Sequence, residues 1–226
     1  MSRQEPGGAM PPASVISDAP RWSVLALVAL AAGLVYWPYL SLPPLVDDYG
    51  HARLAQLYGP PEGWKQLFAD PLYRCRATSL WLTAALLGVF GFSPLAFHLA
   101  SLLLHILNAW LVYALGACRR IGWSAAAAAS FVFAVNERPH EAVIWFASVH
   151  ELLVFAFAAG ALLAWVRWLE GGSRAWLAAV AAGWLLALLS KESGVVLTFL
   201  LPAAALLYPG QRRAAALAFL TGIVST

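Results

Sequence analysis

The sequence predicts an all-α protein, a polytopic bundle of transmembrane helices. Of its 226 residues, 62% are hydrophobic and only 11% are charged, and the mean hydropathy is +0.72. Soluble domains are about 45–50% apolar and about 25% charged, so this chain has too few charges to cover a surface facing water. The apolar residues also form long runs between short polar turns. The same composition excludes a disordered chain.

Taken in order, the apolar runs predict about six spans and part of a seventh. A Pro-, Gly- and Ser-rich tail over residues 1–21 is predicted to be disordered. The predicted spans lie near residues 22–42, 96–116, 123–135, 146–166, 176–189 and 194–208, with an incomplete run at 214–226. We therefore expect residues 22–226 to form one transmembrane domain that is incomplete at its C-terminus.

One apolar run is too short to cross. Residues 79–92 are apolar over about 14 positions, whereas a span needs about 20. The run ends at Gly91-Phe92-Ser93-Pro94, where a helix would stop. We expect a re-entrant or interfacial helix here, preceded by a polar external loop over residues 43–78.

The basic residues then predict the orientation. If residues 79–92 do not cross, the loops with the basic residues all lie on one side, which the positive-inside rule makes cytoplasmic together with the N-terminus. These residues are Arg3, Arg21, Arg119, Arg120, Arg167, Arg174, Arg212 and Arg213. The net charge of +3 is therefore an orientation signal, and no run of basic residues indicates nucleic-acid binding.

Most acidic residues fall on the opposite, extracytoplasmic side, where we look for function. Asp47 and Asp48 follow the first span directly. Adjacent carboxylates point in different directions, so one can face a pocket as a general base while the other binds a donor group or an ion. A solvated pair of loop acids is the plainer interpretation. The pair permits a divalent cation but does not require one.

The run 96–116 carries polar residues at helical spacing. His98, Ser101, His105 and Asn108 are separated by three, four and three positions, which places them on one face of a helix. Polar groups within a span face either a wet cavity or another helix. Both a functional and a packing role are open for this face.

Further charged residues lie where predicted helices begin or end. Arg74 and Arg76 precede the short run, and Lys191 and Glu192 follow the run 176–189. Guanidinium and ammonium groups at a membrane surface can hold a phosphate, or can anchor the helix at the interface. Glu141 lies in the polar turn at 136–141. The chain contains no Walker loop, dinucleotide fingerprint, zinc spacing or Gly-x-Ser-x-Gly elbow.

The order of these motifs resembles the GT-C superfamily of polytopic glycosyltransferases, in particular the transmembrane-and-tetratricopeptide O-mannosyltransferases and their bacterial relatives. The matching segments are Val46-Asp47-Asp48-Tyr49, Tyr73-Arg74, Gly91-Phe92-Ser93-Pro94, His98 to Asn108, Glu141 to Trp145 and Leu189 to Ser193. The chain departs from the family in having Cys75 after Arg74 and Asn136-Glu137 where a His-Pro pair is common.

The resemblance implies transfer of a sugar from a polyprenyl-phosphate donor to a hydroxyl acceptor at the outer face of a membrane. Asp47 or Asp48 would be the catalytic base, and Arg74, Arg76 and Lys191 would bind the donor phosphate. His105, Asn108, Glu141 and Glu192 would support the site. The sequence requires no cofactor and permits a divalent cation at the adjacent carboxylates. The acceptor, whether protein, lipid or glycan, is left open.

Two other classes compete with the enzyme. A transporter or channel would also place polar residues at membrane depth, and an inactive membrane fragment would explain a run that stops at Thr226. For the enzyme, the expected location is a bacterial inner membrane with a periplasmic active site.

Overall fold

The computed structural model describes residues 22–117 and 121–208, which are helical apart from turns and contain no β-strand. These ranges form ten α-helices. They are α1 (Trp22–Tyr36), α2 (Val46–Tyr58), α3 (Trp64–Ala69), α4 (Ala77–Phe90), α5 (Pro94–Gly116), α6 (Trp123–Val135), α7 (His140–Ile144), α8 (Val149–Leu169), α9 (Ala175–Leu188) and α10 (Leu197–Leu206). The all-α fold class is thus confirmed for these residues. The predicted tail, the arginine pairs at 119–120 and 212–213 and the run 214–226 lie outside them.

Three segments of the described chain are long and apolar enough to cross a membrane. They cover Trp22–Tyr39, Pro94–Gly116 and Phe146–Leu169, with 18, 23 and 24 residues. The first and third each join an α-helix to a 3-10 turn. The apolar helices Trp123–Val135, Ala175–Leu188 and Glu192–Leu206 have between 10 and 17 residues, fewer than the roughly 20 that a span needs. The described residues therefore contain three candidate spans, and the predicted count of six is not confirmed.

The predicted external loop contains a helix that sequence analysis did not anticipate. α2 has 13 residues and buries Ala52 and Ala55 as it packs on α4. Gly59 follows this helix and lies close to α4. Glycine is needed there because a Cβ atom would lie 2.2 Å from the Cβ of Ala84. Small residues thus let the two helices approach closely. The run predicted at 79–92 is helical as α4 and has 14 residues.

α5 lies at the centre and packs against α1, α6 and α8. Its four polar residues, His98, Ser101, His105 and Asn108, are all buried, which confirms that they share one face. Three of them donate to carbonyl oxygens of other segments. The acceptors are Leu40 for His98 Nδ1 (3.2 Å), Ala134 for His105 Nε2 (3.0 Å) and Leu152 for Asn108 Nδ2 (3.0 Å). Each of these three side chains therefore uses one nitrogen atom to hold a neighbouring segment.

α8 and α9 form an antiparallel hairpin, and α10 completes that side of the bundle. Gly171 makes the turn between the two helices with a φ of +95°, a backbone conformation that favours glycine. Trp165 Nε1 donates to the carbonyl of Leu201 at 2.8 Å and joins α8 to α10. This packing brings the chain after α9, residues 189–192, back to the start of α8.

Candidate functional site

The candidate site forms where the beginnings of α4 and α8 meet the chain that follows α9. The backbone N–H of Thr78 donates to the carbonyl of Leu189 at 3.1 Å. The hydroxyls of Thr78 and Ser190 are 2.7 Å apart, and both side chains are buried. Because the Ser190 hydroxyl donates to the carbonyl of Leu186, the Thr78 hydroxyl donates to Ser190. These bonds join two segments that carry basic residues.

Two cations and two carboxylates meet next to this junction. Arg76 Nη2 lies 3.4 Å from Glu192 Oε1, and the Lys191 ammonium forms an ion pair with Glu151. His150 Nε2 is 3.7 Å from the same oxygen of Glu151. The second guanidinium nitrogen of Arg76, Nη1, is buried and has no hydrogen-bond partner among the described residues. The described protein therefore leaves one donor of this guanidinium without an acceptor.

His51 brings α2 into the same cluster. Its Nε2–H donates to the hydroxyl of Thr83 at 3.0 Å, because that hydroxyl in turn donates to the carbonyl of Ser79. Burial lowers the pKa of His51 to about 4, and nearby His150 and Arg76 lower that pKa further by repulsion. His51 is therefore neutral at pH 7.

The two adjacent aspartates have different surroundings. Asp48 is only 2% exposed and accepts hydrogen bonds from the backbone N–H groups of Leu45 and Ala147, both at 2.7 Å. It thereby caps the start of α2 and ties that end to the turn before α8. Asp47 is exposed and forms no hydrogen bond or ion pair within the described chain. Of the two carboxylates, Asp47 is the one open to a ligand.

A cavity of about 590 Å³ adjoins the charged cluster. It lies among α5, α7 and α8, and Glu151 and His150 belong to both the cluster and the cavity wall. Its polar lining residues are Asn108, Arg138, Glu141, Trp145, Ser148, His150 and Glu151. Such a volume suits a small-molecule ligand, and aromatic and apolar side chains alternate with polar groups on its wall.

The predicted site residues therefore divide into three groups. Arg76, Lys191 and Glu192 come together, and Asn108 and Glu141 line the adjoining cavity. His105 is completely buried on α5, between Tyr36 and Phe133. Arg74 is exposed and has no ionic contact with the cluster in the described chain.

Several residues of the site were not singled out as site residues from the sequence. His51, Thr78, Ser190, His150 and Glu151 are examples. The pair His150-Glu151 at the start of an apolar run was a usable signal, since ionisable residues at membrane depth are costly. No such signal marks Thr78 and Ser190 in the sequence, because hydroxyl residues are ordinary in helices and turns.

Metal binding has no ready-made site in the described chain. Among residues 22–117 and 121–208, no group of three or more His, Cys, Asp or Glu side chains is arranged to hold a metal ion. The Asp47–Asp48 pair does not act as one unit, because Asp48 is buried and bound to the backbone while Asp47 faces outward. Any divalent cation would have to use carboxylates that lie apart here.

Comparisons with known proteins add no family to this description. No protein-family model, no curated protein and no solved structure matches the chain.

Replacing Asp48 by alanine should destabilise the protein. The change leaves the N–H groups of Leu45 and Ala147 without their acceptor, at a cost of about 2 kcal/mol. Asp47→Ala is the matched control and should stay within about 0.5 kcal/mol of wild type, since Asp47 is exposed. Thermal unfolding in detergent, followed by circular dichroism, compares the two. Equal losses would refute the capping role of Asp48.

Stability should also depend on pH through His51. The unfolded chain protonates this residue near pH 6.5, whereas the folded protein does so only near pH 4. The contribution of neutral His51 is therefore complete above about pH 6.5 and is lost as the pH falls from 6.5 to 4, by at most about 3 kcal/mol. His51→Gln keeps a donor for Thr83 and does not titrate. Between pH 7 and 4, the free energy of unfolding should depend less on pH in this variant than in wild type. The same pH dependence in both proteins would contradict the role of His51.

Proposed function

We propose that this protein is a membrane glycosyltransferase that moves a sugar from a polyprenyl-phosphate donor to a hydroxyl acceptor. The observation that carries the proposal is the meeting of Arg76 and Lys191, from segments more than 100 residues apart, beside a cavity of about 590 Å³. A lipid-phosphate sugar needs these two features together, namely cations for the phosphate and a partly polar cavity for the sugar. The order of sequence motifs supports the same class.

In the proposed reaction, Asp47 is the base. Its carboxylate takes the proton from the acceptor hydroxyl, and the resulting oxygen attacks the anomeric carbon of the sugar. The bond between that carbon and the phosphate oxygen breaks, and the phosphate leaves with the electron pair. Asp48 accepts a hydrogen bond from the backbone N–H of Ala147, next to the cavity residue Ser148. This bond fixes the first turn of α2, which also carries Asp47.

The cations stabilise the departing phosphate. The Nη1 of Arg76 has no acceptor within the described chain and donates to the phosphate once the buried guanidinium turns toward it. Lys191 offers a point charge if its ion pair with Glu151 rearranges. Glu192 holds Arg76 from an exposed position, so an incoming phosphate can take its place at low cost. Developing negative charge on a leaving group is where such donors contribute most.

The proposed cellular setting follows from the same chemistry. Three candidate spans support a membrane protein. A bacterial inner membrane, a cytoplasmic N-terminus, about six spans in the whole chain and a periplasmic active site remain part of the proposal.

The test is turnover of a sugar–phosphate lipid by the full chain in nanodiscs. Turnover is measured as the release of polyprenyl phosphate from polyprenyl-phosphate hexoses. A hydroxylated amphiphile is present as the acceptor. Asp47→Asn should lower kcat at least about 100-fold, since positioned bases contribute about 10²–10⁴. Arg76→Gln and Lys191→Met should raise KM for the donor as well.

Matched controls keep the result specific. Glu62→Gln removes another exposed loop carboxylate, and Lys65→Met removes an exposed ammonium outside the cluster. Both should remain near wild-type activity. Full activity of Asp47→Asn, or no turnover of any polyprenyl-phosphate sugar by wild type, would refute the proposal. Passage of solute across proteoliposomes would instead support the transporter.

A further inference from the structure

A second cavity of about 540 Å³ adjoins the first between α5 and α6. We call it the α5–α6 groove. Its apolar wall consists of Val112 on α5 and Ala128, Ala129, Val132 and Phe133 on α6. Phe133, Arg138 and Pro139 line both cavities. One molecule could therefore occupy the two spaces together.

The groove has the shape and polarity of a hydrocarbon-chain site. From Ala128 to Val135, α6 rises about 10 Å, the length of several methylene groups. The two alanines leave room between the helices, and Val132 is 58% exposed. Exposed Phe131 extends the apolar surface on α6. Apolar surface of this kind, next to a candidate span, fits lipid better than water.

A cationic side chain, that of Arg138, lies where the α5–α6 groove meets the larger cavity. Arg138 is exposed, and its guanidinium has no hydrogen-bond or ion-pair partner in the described chain. Its backbone N–H donates to Asn136 Oδ1 at 2.8 Å, which fixes the turn after α6. A free guanidinium at the end of an apolar groove matches a phosphate at the end of a hydrocarbon chain.

We propose that the α5–α6 groove binds one membrane lipid with a phosphate headgroup. The chain lies along Val112, Ala129 and Val132, the phosphate meets Arg138, and the rest of the headgroup enters the 590 Å³ cavity. The role of this lipid rests on the proposed function. Because Arg76 and Lys191 hold the donor phosphate, the lipid at Arg138 is the acceptor, and the enzyme glycosylates a lipid rather than a protein.

The approach of the ligand favours a lipid over a protein. The groove lies between the candidate span α5 and the shorter apolar helix α6, so we expect its occupant to enter sideways from the bilayer. A protein hydroxyl would arrive from the aqueous side and would leave the apolar wall unused. Arg138 alone among the charged residues of the larger cavity also lines this groove.

Photolabelling tests the site without any turnover. The full chain is placed in phosphatidylcholine nanodiscs with traces of phosphatidic acid or phosphatidylcholine, each with a diazirine in the same acyl chain. Mass spectrometry measures labelling of residues 123–138. We expect phosphatidic acid to label this segment at least fivefold more than phosphatidylcholine. Unlabelled phosphatidic acid should compete, and glycerol phosphate at equal concentration should not.

Two variants test whether the labelled lipid binds in the α5–α6 groove. Ala129→Trp fills the groove and should abolish the phosphatidic acid signal, and Arg138→Gln should lower it at least fivefold. The controls are Ala181→Trp, at an equally exposed alanine of α9, and Arg174→Gln, at another exposed arginine. Both should stay within twofold of wild type.

Three results would overturn the site. Equal labelling by the two lipids would mean ordinary contact with surrounding lipid only, and full labelling of Ala129→Trp would place the chain elsewhere. Equal competition by glycerol phosphate would mean that the apolar groove contributes nothing. A protein without glycosyltransferase activity would still be labelled, so failure of the proposed function is distinguishable from failure of this site.

Given a working transferase, the acceptor role has its own readout. Arg138→Gln should raise KM for a phosphate-headed lipid acceptor and leave KM for the polyprenyl-phosphate donor unchanged. Transfer to a hydroxylated peptide with no transfer to lipid would refute the acceptor assignment.

Discussion

Hydrogen bonds from one face of α5 to carbonyl oxygens on three other segments hold the centre of this protein together. His98, His105 and Asn108 reach the chain after α1, the end of α6 and the first turn of α8. In a bilayer an unpaired polar group costs several kcal/mol, so each side chain must meet a partner at a fixed depth. These bonds therefore set the register of the surrounding helices, and the cavity walls follow from that register.

The charged cluster depends on a second set of buried polar bonds at the membrane-helix ends. The Thr78–Ser190 pair aligns the start of α4 with the end of α9, and Asp48 aligns α2 with the turn before α8. With those backbones fixed, two cations and two carboxylates lie within ionic contact. Pairing keeps the cluster near neutrality, and exposed Glu192 is the partner that an anion can most easily displace.

The two proposals meet at the larger cavity, which Glu151 of the charged cluster and Arg138 of the α5–α6 groove both line. A donor phosphate at Arg76 and Lys191 and a lipid phosphate at Arg138 would place their headgroups in the space that Glu151 and Glu141 line. Such an arrangement suits transfer between two lipids that both approach within the membrane.

The sequence by itself determined the all-α class, the shared polar face of α5 and the apolar segments at 22–42, 96–116 and 146–166, which the structure places at 22–39, 94–116 and 146–169. Hydrophobicity and helical spacing are local properties, so the sequence carries them directly. Only the tertiary structure decided that Asp48 is buried and Asp47 open, that Arg76 rather than Arg74 pairs with Glu192, the residue after Lys191, and that residues 46–58 form a helix on α4. These outcomes depend on contacts between residues from 25 positions apart (Gly59 and Ala84) to 116 positions apart (Arg76 and Glu192). No local pattern encodes which of two neighbouring side chains meets a distant group.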